Sequence, residues 1–294
     1  MEQSKIILSI IIVTYKSDSY IDNCLNSINQ YNDLGDALKI IIVDNSPKED
    51  ADRIFTHIRK TYSSDITLIH NSKNGGYGQG NNLGIAKAKG KYICVMNPDI
   101  ELIMPIFSEM VNELESNPKL AMVGGNQKGR RDLSFYIRQE YEVPLIMPYL
   151  TVLINKRKLY WERFMFLSGA LLFINKKHFE DIGLFDENLF LYSEESDVTL
   201  RFLRKNYHTK FRKDLVYKHL IDERKELSKN TFEELLKSNY YYFKKYNFNI
   251  NRFINKKIIS FKFLYYLTAF KSKSKAQKYK NYYQIYENSK HNRK

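Results

Sequence analysis

Two cysteines in 294 residues exclude a disulfide framework, which small secreted domains build from several pairs. Cys24 falls in a predicted helix and Cys94 in a predicted buried strand. Neither has a metal-ligand spacing, so both read as reduced core thiols of a cytosolic protein. No uninterrupted apolar run approaches the ~20 residues that a spanning helix needs. The first residues, Met1-Glu-Gln-Ser-Lys-Ile-Ile-Leu, mix their charges and carry an apolar run of strand length, which is not a signal-peptide pattern. A soluble or surface-seated chain is expected. Proline is absent after Pro148 and glycine after Gly183, so nothing later breaks a helix.

Acid is scarce at the C-terminal end. Residues 224–294 hold 18 Lys/Arg against 4 Glu, which accounts for the whole formal charge of +14. Residues 1–223 are neutral. The expected organisation is a neutral body over 1–223, long enough to bury a real core, and a basic helical tail over 224–294. No nucleic-acid motif accompanies the charge, so nucleic acid is not an expected partner.

The body alternates strands and helices. Ile6–Val13, Lys39–Val43, Ile66–His70, Tyr92–Met96 and Leu120–Val123 are short β-branched or apolar runs, expected to be buried strands. Asp18–Gln30, Glu49–Lys60 and Ile103–Glu115 have helical periodicity between them, and the Gly-rich stretch Asn74–Gly84 leads into a helix ending near Gly90. This predicts an α/β fold with a mostly parallel sheet covered on both sides. Residues 126–162, with Lys128, Arg130, Arg131 and Arg138 among aromatics, lose the rhythm and predict a loop-rich insertion beside the site. Phe164–Ile174 predicts one core strand, Lys176–Asp181 and Glu195–Lys205 helices, Lys210–His219 a short strand, and the chain from Asn230 two or three helices.

Ligands of open α/β sheets bind beyond the carboxyl ends of the strands. Four predicted strands end in polar signatures: Thr14-Tyr15-Lys16, Asp44-Asn45, Asn74-Gly-Gly-Tyr-Gly-Gln-Gly-Asn-Asn-Leu-Gly84 and Asn97-Pro98-Asp99. One such end is ordinary turn chemistry; four point to a site on one edge. Asp44 has the length to accept from a base or ribose hydroxyl, or it caps the turn before Pro47. Gly75, Gly76, Gly78 and Gly80 let the backbone approach a ligand closely, although neither a Walker loop nor a GxGxxG fingerprint is present. Asp99 could ligate a hard cation bridging a diphosphate, or serve a turn around Pro98. His219 suits the same cation, or is structural.

Between Gly183 and Arg201, Asp186, Glu187, Glu194, Glu195 and Asp197 interrupt an apolar run. Carboxylates held in a dry cleft have raised pKa values and suit a general base near neutral pH. The alternative is a helix N-terminus whose acids complement the macrodipole.

Taken in order, strand-Thr-Tyr, Val-Asp-Asn-Ser, Asn-x-Gly-Tyr-Gly-x-Gly-Asn-Asn-x-Gly, Asn-Pro-Asp, Ser-Gly-Ala, the acidic motif ending in Arg201 and the later His219 resemble family 2 glycosyltransferases over roughly residues 6–219. Within that family the bacterial rhamnosyltransferase-type enzymes of surface-polysaccharide assembly look most similar. The resemblance implies a GT-A-like, mostly parallel twisted sheet flanked by helices. It implies inverting transfer from a TDP- or UDP-sugar to a glycan or lipid-linked acceptor. By motif, Thr14, Tyr15, Asp44 and Asn45 would hold the base and ribose, and Asn74, Gly76 and Asn82 would line the nucleotide pocket. Asp99 and His219 would bind Mg or Mn. Glu195 would be the general base, with Glu194 and Asp197 orienting the acceptor or the base. Two departures stand out: Asn97 replaces the first Asp of the metal motif, and Glu replaces the usual Asp at 195.

The tail, residues 229–294, mixes Lys with Tyr and Phe, as helices at anionic membrane surfaces do. The expectation is a cytoplasmic protein peripheral to the inner face of the cell membrane; a solvated tail or a homodimer element is the alternative. A processive synthase is not expected, because spanning helices and a Gln-x-x-Arg-Trp motif are absent. The non-enzyme alternative is a catalytically silent sugar-nucleotide or membrane-binding scaffold.

Overall fold

The computed structural model describes residues 5–17, 20–62, 65–129, 132–220 and 229–291. Asp18 as a helix start, Arg130 and Arg131 in the insertion, and the boundary at 223–224 lie outside these residues.

Strand β1 (Leu8–Thr14) is followed by α1 (Ile21–Tyr31), β2 (Leu38–Asp44), α2 (Lys48–Thr61), β3 (Ile66–His70), α3 (Gly76–Lys87) and β4 (Tyr92–Met96). Then come β5 (Ile100–Leu102), α4 (Phe107–Ser116), β6 (Leu120–Gly129), β7 (Phe135–Ile137), α5 (Met147–Lys156), β8 (Met165–Leu167) and β9 (Leu171–Asn175). The chain closes with α6 (Lys176–Asp181), α7 (Glu194–Arg204), β10 (His208–His219), α8 (Lys229–Lys245), α9 (Ile250–Ala269) and α10 (Lys273–His291).

Eight strands form one sheet in the order β3-β2-β1-β4-β9-β6-β10-β5, and β7 and β8 form a separate ribbon. The pairings of β1 with β2 and β4, of β2 with β3, and of β6 with β10 are parallel. β9 runs antiparallel between β4 and β6, and β5 antiparallel to β10. Alternate residues of β1 feed opposite faces. Ile10 and Ile12 pack with Ile28, Phe55 and Phe107 of α1, α2 and α4. Ile11 packs with Ile85, Phe179, Val198 and Phe202 of α3, α6 and α7. Both faces are covered, which is why the strands read as unbroken apolar runs.

Several boundaries differ from the sequence reading. The Gly-rich stretch is itself helix α3. Helix propensity disfavours it, but packing requires it: a Cβ at Gly84 would stand 2.5 Å from Ile11 Cγ2, and one at Gly80 2.9 Å from Val13 Cγ1. The helix expected over 103–115 begins only at Phe107, because Pro105 restrains the residue before it from helical geometry and 100–102 pairs as β5. The single strand expected over 164–174 is two, separated by a turn at Ser168-Gly169-Ala170. The 126–162 insertion is structured, holding the end of β6, β7 and α5, and β10 is a full 12-residue strand.

The tail is three helices with their own apolar cluster, built on Phe232, Tyr242, Phe243, Tyr246, Phe253, Ile254 and Tyr286, and Leu200 of α7 packs against it. It also closes onto the body through charge. Asp197 is fully buried and receives Arg201 Nε at 2.8 Å, Tyr246 Oη at 2.6 Å and Lys245 Nζ. Lys245 Nζ also pairs with Asp186 at 2.7 Å. Ser238 Oγ donates to Leu191 O at 2.7 Å.

Removing one member of a buried charge cluster strands the rest. Asp197→Ala is expected to lower the unfolding free energy of the full chain by about 3–5 kcal/mol, read by denaturant titration. A loss under about 1 kcal/mol would mean that apolar contacts alone seat the tail.

Candidate active site

The carboxyl ends of β1, β2, β4, β6 and β10 and the amino ends of β5 and β9 share one edge of the sheet. At its centre is the Ser168–Ala170 turn. Asn97 N–H donates to Ala170 O at 2.9 Å. Tyr77 Oη donates to Gly169 O at 2.8 Å. Ser168 Oγ donates to Gln127 Oε1 at 3.1 Å. A Cβ on Gly169 would lie 1.9 Å from Glu195 Oε1, so only glycine lets that carboxyl rest on the turn.

Glu195 and Glu194 occupy the first turn of α7. The backbone reaches this helix through Tyr192 and Ser193, at φ 71° and 73°. Two consecutive left-handed residues with side chains are strained, by about 1–3 kcal/mol each. The insertion holds them: Gln139 Nε2 donates to Ser193 Oγ at 3.1 Å. Nearby, buried Arg138 pairs with Glu140 at 3.1 Å, and Tyr242 Oη donates to Glu140 Oε2 at 3.1 Å. The insertion therefore borders the site, as the sequence suggested.

The helix dipole favours ionised acids at this position, yet burial wins. Burial, then the Glu195 and Asp197 charges, push the Glu194 carboxyl well above the usual range. Burial also raises Glu195. Glu194 is 2% exposed and its Oε1 has no hydrogen-bond partner. Glu195 is only partly buried, so it is the carboxyl of the two with access to a substrate.

On the far side of the turn, His219 Nε2 lies 3.1 Å from Asp99 Oδ1, both residues buried. No group of three or more potential metal-ligating side chains occurs among the described residues. The pair nevertheless fits Mg or Mn. Adjacent ligands on an octahedral ion with bonds of about 2.1 Å stand about 3 Å apart, and such ions take their other ligands from water and substrate phosphates.

The nucleotide-side residues divide. Thr14 Oγ1 donates to Asp44 Oδ2 at 2.5 Å and Ser46 N–H to Asp44 Oδ1 at 2.8 Å. Asp44 is fully buried, so it sets the turn and presents no surface of its own. Tyr15 beside it is exposed. Asn45 Nδ2 donates to Gly76 O at 3.1 Å and Asn45 Oδ1 accepts from Asn71 Nδ2 at 2.8 Å. Asn74 adopts φ 38° and accepts from Gly76 N–H, a turn role.

Three expected site residues have partners within the protein. Asn82 faces the acidic segment: its Nδ2 donates to Phe185 O and Glu187 Oε1, and its Oδ1 accepts from Phe185 N–H. Its amide is spent on protein. Gly76 packs closely on protein, since a Cβ there would meet Phe190 O at 2.0 Å; Gly75, Gly78 and Gly80 likewise face Gln79, Phe185 and Val13. Asp197 is engaged by Arg201, Lys245 and Tyr246, so it holds α7, the helix that carries Glu195. Sequence reasoning passed over Tyr77 and Gly169, although both stand inside motifs it had marked. Lys245 and Tyr246 carried no signal, because their partner lies 48 and 49 residues away.

A family model described as glycosyl transferase family 2 matches residues 9–183. The low-salt glycan biosynthesis hexosyltransferase Agl10 of Haloferax volcanii is 26% identical over 204 residues, covering 68% of this chain and 62% of that protein. The uncharacterized glycosyltransferase EpsJ of Bacillus subtilis is 25% identical over 213 residues, covering 72% and 60%. The chain thus spans about three fifths of the length of these relatives. The mannosyltransferase PcManGT of Pyrobaculum calidifontis, solved with GDP-Man and Mn2+, superposes with a TM-score of 0.56 at 16% identity, covering 74% of this chain and 57% of that one. That likeness establishes a GT-A fold. With most of its sheet and its central turn inside the matched region, the chain belongs to glycosyl transferase family 2.

Proposed function

We propose that the chain is an inverting glycosyltransferase that moves one sugar from a nucleoside-diphosphate sugar to a hydroxyl of a glycan or lipid-linked acceptor in surface-polysaccharide assembly. The observation that carries this reading is Glu195. Its carboxyl lies on the Gly169 turn, its pKa is raised by burial, and the Asp99–His219 pair stands at the same sheet edge.

The nucleotide lies over Tyr15 and the Asp44-Asn45-Ser46 turn. The acceptor hydroxyl attacks the anomeric carbon in a single displacement. Glu195 takes the hydroxyl proton as the new bond forms, and the departing diphosphate takes the bonding pair. A divalent cation held by Asp99 and His219 would offset charge on that diphosphate. Glu194, buried beside it, helps keep water from Glu195, and burial is what raises the basicity of Glu195. The motif resemblance favours a rhamnosyl donor on TDP, with UDP-hexoses as the other class to assay.

Glu195→Gln is expected to lower kcat by ~10²–10⁴-fold while leaving the Kd for nucleotide unchanged. Transfer at near wild-type rate would move the base role to Glu194. Calorimetry with TDP and UDP, with and without Mn, is expected to show manganese-dependent binding of one nucleotide, lost in Asp99→Asn. Metal-independent binding would remove the cation from the reaction. Failure to bind any nucleoside diphosphate, with no transfer to any acceptor, would favour a silent scaffold.

Glu194 makes a separate prediction. Its pKa is raised on folding above the ordinary 4.5, so the native state holds this proton longer than the unfolded state. Its contribution to stability is complete below pH 4.5 and is lost as pH rises through the native value. Glu194→Gln should therefore melt higher than the wild type at neutral pH, with the difference vanishing in acid. An equal or lower melting point at neutral pH would show that Glu194 is paired when ionised.

A further inference from the structure

The face of α9 turned away from the tail's core carries an apolar stripe. Ile259, Phe263, Tyr266, Leu267 and Phe270 are exposed, Phe270 at 98%. At 3.6 residues per turn these positions fall within about a 100° arc. The helix does not need the stripe to fold, because Phe253, Ile254 and Ile258 on its other side enter the tail cluster. A contiguous exposed apolar face of this kind marks an interaction surface.

Its charge surroundings select the partner. Residues 235–286 contain twelve Lys/Arg and no Asp or Glu. Lys262 borders the stripe by helical position but pairs with Glu287 at 2.6 Å, and Lys256 donates to Glu142 O, so the bases facing outward are those at the stripe's ends. Arg252 at one end and Lys271, Lys273 and Lys275 beyond the other are exposed. On the body, Lys257 Nζ pairs with Glu142 Oε1, and Val143, Ile146 and Tyr149 just beyond Glu142 are exposed. A second copy seated symmetrically on this face would bring base against base, which opposes association. An anionic bilayer offers phosphates to the lysines and, just beneath, an apolar layer to the rings. No described helix is long and apolar enough to cross a membrane, so α9 would lie flat.

We propose that the Ile259–Phe270 face of α9 docks on an anionic lipid surface, with Phe263, Leu267 and Phe270 entering the headgroup–acyl boundary and the flanking lysines on lipid phosphates. This narrows the sequence expectation for 229–294. Tyr242 and Phe243 of α8, Tyr246 just after it and Tyr286 of α10 are buried, so the aromatic richness of those segments serves the tail's own core.

The test needs no sugar donor and is therefore independent of the proposed reaction. The full chain is sedimented with vesicles of phosphatidylcholine alone and of phosphatidylcholine with phosphatidylglycerol. Binding is expected on the anionic vesicles only, and should fall as salt screens the lysines. The double variant Phe263→Ser/Phe270→Ser should lose binding by about tenfold or more with an unchanged melting point. Lys271→Gln/Lys273→Gln/Lys275→Gln should lose about fivefold per charge removed. Lys60→Gln, an exposed base on α2, should bind as the wild type. Absence of binding to anionic vesicles, or undiminished binding by the double variant, overturns the proposal. So does a wild-type dimer that the double variant dissociates in the absence of vesicle binding, which would assign the face to a second copy.

Discussion

The buried carboxylate of Asp197 is the constraint on which the rest of this molecule depends. It sits one turn into α7 and collects Arg201 from its own helix, Lys245 from the end of α8 and Tyr246 from the residue after it. A buried carboxylate is tolerated only when its charge is matched and its lone pairs are filled. Arg201 supplies one charge within the helix. Lys245 supplies the other from the tail and shares it with Asp186, whose carboxyl is held low, against the effect of burial, by Lys245 and Asn188. The acidic segment before α7, α7 itself and the tail are therefore satisfied together or not at all. That makes the tail part of the body in energetic terms, despite its separate composition.

This arrangement explains how two further acids can remain poorly compensated nearby. Asp197 takes the available cations, and Glu194 and Glu195 are left in a dry first turn with raised pKa values. The site edge is crowded by design of its small residues. Gly169 admits the Glu195 carboxyl, Gly76 admits the Phe190 backbone, and Gly80 and Gly84 bring α3 down on β1. Close approach lowers solvent access, and low solvent access raises carboxylate basicity. Packing and acid–base poise are thus one property seen at two scales.

Much of the fold was legible because its signals are local. The β-branched runs of β1 and β2 sit on one side of turns that mark their ends, and Thr14, Asp44 and Asp99 fall at strand termini as the polar signatures implied. The acids of α7 could be marked as a group because they interrupt an apolar run. Their division of labour could not, since it depends on which carboxylate meets Lys245 and which meets Gly169. For the same reason the partners of Asn82 could not be read from its motif: they are the Phe185 backbone N–H and C=O, more than a hundred residues away. Glycine in α3 misled the boundary, because intrinsic propensity was overridden by the need for a helix without side chains against the sheet.

The basic tail shows how one compositional signal can carry two separate structural roles. Its lysines divide by partner. Lys245 neutralises Asp186 and Asp197, Lys257 meets Glu142, and Lys262 meets Glu287; the first two join the tail to the body and the third joins α9 to α10. Lys271, Lys273 and Lys275 stand exposed past the end of α9. The aromatics divide the same way, with Tyr242, Phe243, Tyr246 and Tyr286 inward and Phe263, Tyr266 and Phe270 outward. A tail needed only for docking to the body would have no use for an outward apolar stripe, whose exposure to water is unfavourable at every temperature of interest. A tail needed only for solubility would not bury six large rings, Phe232 and Phe253 included. The coexistence of both halves, on helices that share one core, fixes the orientation of the outward face relative to Glu195 through the Asp197 cluster, so whatever that face binds is held in register with the site.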